Sequence, residues 1–334
     1  MEASFPGTMT PEPGTDIRFK MKLLRQLLPF ASLLLILIAL SVLVPDKFLT
    51  ADNFLNIFRR SSVNAIIAVG MTAIIISGGI DLSVGSMMAL AGMVGAWAMQ
   101  KMGGDLLTPQ AMWLGTFAGI ATGTLAGFLN GALINGLKLP PFILTLGTMS
   151  AFRGIAYVMN DGQPYNVPGY KFLGNGQTFG VPISIVIALV IVVVAILILN
   201  RTTLGRYTYA IGANRTATLY SGVNVTRNLI IIYTLAGLLV GIASMIATSR
   251  TVSAQPTAGI GLELDIIAAV VIGGASLNGG RGTIVGTMIG TLLISFLRNG
   301  CTLVGISTNV QLIVIGVIIV VAVSVDQLAR GKSR

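Results

Sequence analysis

The chain of 334 residues contains no histidine and a single cysteine, Cys301. The first absence removes a Ser-His-Asp triad, a histidine-ligated metal and an imidazole proton relay. The second removes a disulfide framework and any thiolate cluster. Charge is scarce as well. Asp, Glu, Lys and Arg make up 10% of residues, against roughly 25% in an ordinary soluble protein. Hydrophobic residues make up 54%, and mean hydropathy is +0.87. So few charges cannot tile a water-facing surface, which excludes a soluble enzyme. What remains is an all-α polytopic membrane protein, with no metal site and no cofactor of its own in view.

The net charge is +10, from 21 Lys+Arg against 11 Asp+Glu. These basic residues sit in short loops between apolar runs, the pattern of positive-inside topology rather than of nucleic-acid binding. Residues 1–16 are polar, acidic and Pro/Gly-bearing, without the basic start of a secretory signal. With Arg18, Lys20, Lys22 and Arg25 behind them, residues 1–25 read as a disordered cytoplasmic tail. Residues 26–327 read as the membrane domain. Residues 328–334, with Arg330, Lys332 and Arg334, read as a second cytoplasmic tail.

Crossing a bilayer takes about 20 apolar residues as helix. Ten segments qualify: 27–44, 61–79, 82–100, 111–136, 140–159, 181–199, 228–249, 263–278, 282–299 and 308–325. The densest basic loop, 200–227, follows the sixth and the C-terminal tail follows the tenth, so both return to the side of the N-terminus. Eight spans also return the tail there. This parity leaves Arg59, Arg60, Lys171 and Arg250 outside, against the charge rule. Segment 46–60 is too polar to cross, and Phe48, Phe54, Leu55 and Phe58 are expected to form an interfacial amphipathic face. Loop 160–180, rich in Gly and Pro, reads as an external lid or re-entrant segment, or equally as a solvated connector.

Glycine is plentiful, 41 residues, and ordered in its spacing. Gly115, Gly119, Gly123, Gly127 and Gly131 recur every fourth residue, as do Gly282, Gly286 and Gly290, and Gly237 and Gly241. Such stripes let helices touch backbone to backbone. Elsewhere glycine interrupts. Ser77-Gly-Gly-Ile-Asp-Leu-Ser-Val-Gly85 and Gly273-Gly-Ala-Ser-Leu-Asn-Gly-Gly-Arg-Gly282 read as broken helices, tolerated at membrane depth only where protein or water surrounds them. They hint at two related halves.

Polar residues are few within the spans. Asn64, Asp81, Ser83, Asn135 and Asn278 are candidates for a translocation path; Asp81 and Ser83 serve equally as helix caps. Arg250, Gln255, Glu263 and Asp265 are candidates for docking an external partner, although the two acids also suit a first helical turn. In loop 200–227, residues 214–222 read as a short helix capped by Asn214 and ended by Gly222. Such a helix is a lever for a cytoplasmic partner, or else a plain connector. The chain has no nucleotide site: Gly331-Lys332-Ser333 echoes a phosphate loop, but position 326 is Asp where Gly is required.

Longer strings carry a resemblance. Ser62-Val-Asn-Ala-Ile66, Gly79-Ile-Asp-Leu-Ser-Val-Gly-Ser86, Leu204-Gly-Arg-Tyr207, Ser221-Gly-Val-Asn-Val225, Ser253-Ala-Gln-Pro-Thr-Ala-Gly259 and Glu263-Leu-Asp-Ile-Ile-Ala-Ala-Val-Val-Ile-Gly-Gly-Ala-Ser-Leu277 stand in order. The chain resembles, from about residue 25 to 327, the ribose-type permease subunits of bacterial ABC sugar importers. The resemblance implies a second permease subunit, expected to be an identical copy. It implies a cytoplasmic ABC ATPase with two nucleotide sites and a periplasmic or extracellular sugar-binding protein. It places the chain in the inner membrane with both termini cytoplasmic. It also makes 212–223 the segment that contacts the ATPase, through Gly212, Ala213, Asn214, Arg215, Ala217, Leu219, Tyr220, Gly222 and Val223. Ribose is the default cargo, with other pentoses, hexoses and related polyols open. The rival is an ion-coupled secondary transporter, for which Asp81 is the one plausible embedded carboxylate.

Overall fold

A computed structural model describes residues 30–103 and 107–331. The 1–25 tail and residues 332–334 of the C-terminal tail lie outside them. The chain is almost wholly helical. Helix α1 (Phe30–Leu43) and the short α2 (Pro45–Phe48) lead into α3 (Ala51–Ile76), α4 (Val84–Gly103), α5 (Pro109–Gly136) and α6 (Pro141–Val158). After α7 (Phe172–Asn175) come α8 (Ile183–Arg201), α9 (Thr203–Ala213), α10 (Arg215–Tyr220) and α11 (Val225–Thr251). The last helices are α12 (Leu262–Ile272), α13 (Ile284–Leu303) and α14 (Thr308–Gly331). Sheet is limited to two-residue strands: β1 (Tyr165–Asn166) pairs antiparallel with β4 (Ser253–Ala254), and β2 (Gln177–Thr178) with β3 (Val181–Pro182).

All ten apolar segments carry helix. Five helices, α3, α5, α8, α11 and α13, are long and apolar enough to cross a bilayer; the apolar stretches Phe30–Leu43 and Thr308–Ile318 are shorter. This is a multi-pass membrane protein. The span 263–278 is cut short at the break expected from Gly273 on. Its helix, α12, stops at Ile272, and eleven residues rise about 16 Å, half of a ~30 Å hydrocarbon core. Gly274 then takes φ +92°, a conformation open to a residue without Cβ.

Segment 46–60 is corrected. Thr50 caps α3, its side chain accepting from the Asn53 N–H, and the helix runs unbroken from Ala51 to Ile76. Phe48 is fully buried, and the rings of Phe48, Phe54 and Phe58 surround Phe296 of α13 at 6.0, 5.9 and 6.3 Å. Asn53 and Asn299 donate to each other beside them. Phe48 and Phe54 therefore pack on protein, where ring contacts add about 0.5–1.5 kcal/mol beyond their burial, while Phe58 touches Phe296 and stays 38% exposed.

The spaced glycines sit at helix contacts. Helix α5 packs chiefly on α11 and α4. A Cβ on Gly123 would stand 2.6 Å from the Gly237 carbonyl oxygen and 2.7 Å from the Gly241 Cα. Loop 160–180 is docked rather than solvated. Val167 and Tyr170 are buried, the Tyr170 hydroxyl lies 2.7 Å from Thr116 Oγ1, and the Gly174 N–H donates to Ser249 Oγ of α11. In contrast, α8 exposes Leu189, Val190, Val193, Val194 and Leu197, a surface suited to acyl chains.

Candidate functional site

Two ends of the bundle follow from these contacts. One holds the β1–β4 pair, the start of α3 and the end of α11. The other holds the C-terminus of α3, the second helix break and the α9–α10 elbow. The lever segment lies at this second end. Asn214 turns the chain between α9 and α10, its side chain accepting from the Ala217 N–H at 2.9 Å. Gly222 ends α10 with φ +81°. Leu219 and Tyr220 are 58% and 85% exposed, an apolar tip left uncovered by the described residues. Ala213, Asn214, Arg215 and Ala217 are exposed too, whereas Gly212 and Val223 are half-buried. Arg215 reaches back to Asn135 Oδ1 at the end of α5, at 3.4 Å.

Both helix breaks meet this elbow. The Gly280 N–H donates to the Ile76 carbonyl at 2.8 Å, which joins the second break to the end of α3. Gly212 is wedged against that bond: a Cβ there would overlap the Ile76 carbonyl oxygen and lie 2.5 Å from the Gly280 nitrogen. Gly279, with φ +82°, would bring a Cβ within 2.9 Å of the Gly212 Cα and 3.0 Å of the Gly78 Cα. The Tyr209 hydroxyl of α9 donates to the Gly282 carbonyl at 2.8 Å. Three glycine-bearing segments, 77–79, 212 and 279–280, are thus stacked backbone on backbone.

Of the path candidates, the structure brings together Asp81 and Ser83. Asp81 is 1% exposed; its Oδ1 accepts from the Ser83 N–H at 2.8 Å and from the Ser83 hydroxyl at 2.6 Å. Asn130 of α5 joins them, donating to Ser83 Oγ at 2.8 Å. Asn130 Oδ1 and the nearby Tyr233 hydroxyl are buried without a partner among the described residues. Asp81 therefore orders the turn into α4, whose first bond runs from the Met87 N–H to the Ser83 carbonyl. The other candidates scatter. Asn64 is half-buried on α3, Asn135 sits at the elbow, and Asn278 is exposed in the second break.

The docking candidates divide. Arg250 and Gln255 line one cavity at the β1–β4 end. Glu263 is half-buried and faces Arg153 of α6 electrostatically. Asp265 is 6% exposed and forms an ion pair with Arg298 of α13 at 2.8 Å, so it offers no outward face. Arg153 and Arg298 went unnoticed in the sequence. The available signal was an arginine inside an apolar span, which demands a partner. Arg153 Nη1 donates to the Pro256 and Ala258 carbonyls at 2.5 and 2.7 Å, clamping the segment between β4 and α12. Arg59, Arg60 and Arg250, three exceptions to the charge rule, gather within electrostatic range of one another.

Residues 53–323 match the family model described as branched-chain amino acid transport system / permease component. The chain belongs to this family. It is 44% identical over 308 residues to the ribose import permease protein of Bacillus subtilis (strain 168), covering 91% of this chain and 93% of that one. Against the ribose import permease protein of Escherichia coli (strain K12) identity is 44% over 299 residues, 88% and 91% of the two chains. The D-allose transport system permease protein of Escherichia coli (strain K12) is 36% identical over 303 residues, 90% of each. No solved structure matches the chain.

Proposed function

We propose that this chain is the membrane-embedded permease subunit of a binding-protein-dependent ABC importer that carries a monosaccharide, D-ribose or a close relative, by ATP-driven alternating access. The observation that carries the reading is the glycine junction. An exposed apolar tip on α10 is joined, backbone to backbone, to the ends of α3, α12 and α13. Docked in the groove of a cytoplasmic ATPase, Leu219 and Tyr220 receive that subunit's closure. The junction then moves both helix breaks together, and the permease switches which side its path faces. The ribose and allose relatives support the cargo class. Uncharged amides and hydroxyls suit a neutral polyol and release it readily, as a conducting path requires.

Orientation follows the same logic. The α10 end displays Lys138, Arg201, Arg206, Arg215, Arg227 and Arg281, with no exposed acid among the described side chains. The opposite end mixes exposed Lys47, Arg60, Lys101 and Lys171, and half-buried Arg59 and Arg250, with Asp46, Asp52 and Asp161. Positive-inside topology puts the α10 end in the cytoplasm of the inner membrane, with both termini there after ten crossings, α12 and the break behind it counting as one. The β1–β4 end then receives the sugar-binding protein, with exposed Arg60, Lys171 and Gln255 available to it. A second copy of the chain completes the core. The test is reconstitution with the ATPase and the binding protein in sealed vesicles. Uptake of labelled D-ribose should need ATP and the binding protein and survive an ionophore. Uptake that collapses with the ionophore and ignores ATP overturns the reading.

A further inference from the structure

At the β1–β4 end, a cavity of about 220 Å3 lies between α4, α11 and segment 253–259. Polar groups line one side of it: Ser244, Thr248, Arg250, Thr251, Ser253 and Gln255. Ser244 and Thr251 are satisfied by backbone carbonyls. Thr248 is not. It is 4% exposed, and its hydroxyl has no hydrogen-bond partner among the described residues. The half-buried Arg250 guanidinium and the exposed Gln255 amide stand at the mouth of the cavity. A buried hydroxyl inside a half-open cleft and a guanidinium and an amide at its mouth therefore converge on one space.

The space is built. Gly92 of α4 forms the facing wall, and a Cβ there would stand 2.9 Å from Thr248 Oγ1 and 3.1 Å from Ser244 Oγ. Glycine keeps those hydroxyls clear. The roof is segment 253–259, pinned at one end by the β1–β4 pair and at the other by the Arg153 clamp on Pro256 and Ala258. Val252 and Gly259, at φ +50° and +70°, set the two bends of the roof.

We infer that this chamber is a subsite for the transported monosaccharide within each permease subunit, with Thr248, Arg250 and Gln255 bonding its ring hydroxyls. The inference rests on the monosaccharide-import reading above. No carboxylate lines the cavity, so a cation finds no counter-charge there. A neutral polyol uses the groups that are present: it accepts from the guanidinium and exchanges bonds with the hydroxyl and the amide. With three such groups and no aromatic platform, the hold is weak, as suits a site that must pass its occupant on.

Substitution Cys301→Ser leaves the chain without cysteine, and Thr248→Cys then places one near-isosteric thiol in the chamber. The assembled complex is reconstituted in vesicles and treated with a small methanethiosulfonate reagent, with and without saturating D-ribose. The thiol should react, and D-ribose should slow its reaction roughly tenfold, the scale of a well-filled small pocket. A rate unchanged by D-ribose, a thiol that never reacts, or protection by D-ribose 5-phosphate in its place overturns the inference. In parallel, Gly92→Val fills the chamber and should cut D-ribose uptake by a similar factor while the ATPase still co-purifies; full uptake overturns the inference too. Wild-type vesicles separate the two levels. If they take up no D-ribose with ATP, the importer reading fails. If they do while the thiol stays unprotected, only the subsite fails.

Discussion

Gly212→Ala tests the junction with one methyl group. The added Cβ would meet the Ile76 carbonyl oxygen and lie 2.5 Å from the Gly280 nitrogen, where ordinary contact begins near 3.4 Å. Both neighbours are backbone, so no rotamer change relieves the clash, and the segments must part by more than about 1 Å. The bond from the Gly280 N–H to the Ile76 carbonyl, now 2.8 Å, then leaves hydrogen-bonding range. Losing that bond costs about 1 kcal/mol, and overpacking adds about 1–3 kcal/mol. A total of about 2–4 kcal/mol is enough to loosen the joint locally. Helix α10 stays intact, because its cap on Asn214 and its exposed tip are untouched. The variant should still bind the ATPase in a pull-down. ATP hydrolysis should continue, but sugar taken up per ATP should fall several-fold. Wild-type uptake per ATP together with unchanged thermal stability would refute the junction as the transmission element.

Three further outcomes are expected. Gly123→Leu drives a side chain into the backbone of Gly237 and Gly241 and should cost about 3 kcal/mol or more, read as loss of the folded chain by detergent thermal shift. Asp265→Asn removes the counter-charge of Arg298 but keeps an acceptor oxygen and should destabilise by about 1–3 kcal/mol, while the double change Asp265→Leu with Arg298→Met should recover most of it; the same thermal assay distinguishes them. Ala217→Pro removes the N–H that caps α10 on Asn214 and should abolish ATPase association with membrane insertion intact, checked by pull-down and surface labelling.

Some of this was legible from residue order. The glycine repeat of α5 implied backbone contact, and α5 does bury it on α11 and α4, because four-residue spacing holds one face of a helix. Asn214 and Gly222 announced the short α10, since capping chemistry is local. The break after Ile272 was legible in Gly273-Gly274, but not that Gly273 lies against the Gly286 backbone of α13. The 46–60 segment misled for a related reason. Its phenylalanines form an amphipathic face in sequence, but their partner, Phe296, lies far along the chain.

Sequence alone determined the solvent this protein lives in, the helical class and the places where helices break. These follow from composition and from periods of a few residues, which neighbouring atoms enforce. Tertiary structure decided that the two breaks and the elbow share one junction, that Asp265 is paired and inward-facing, and that Thr248 and Gly92 frame a chamber. Those facts join residues 33 (Asp265 and Arg298) to 204 (Ile76 and Gly280) positions apart. Such pairings are fixed by how helix faces fit together, which no local pattern records.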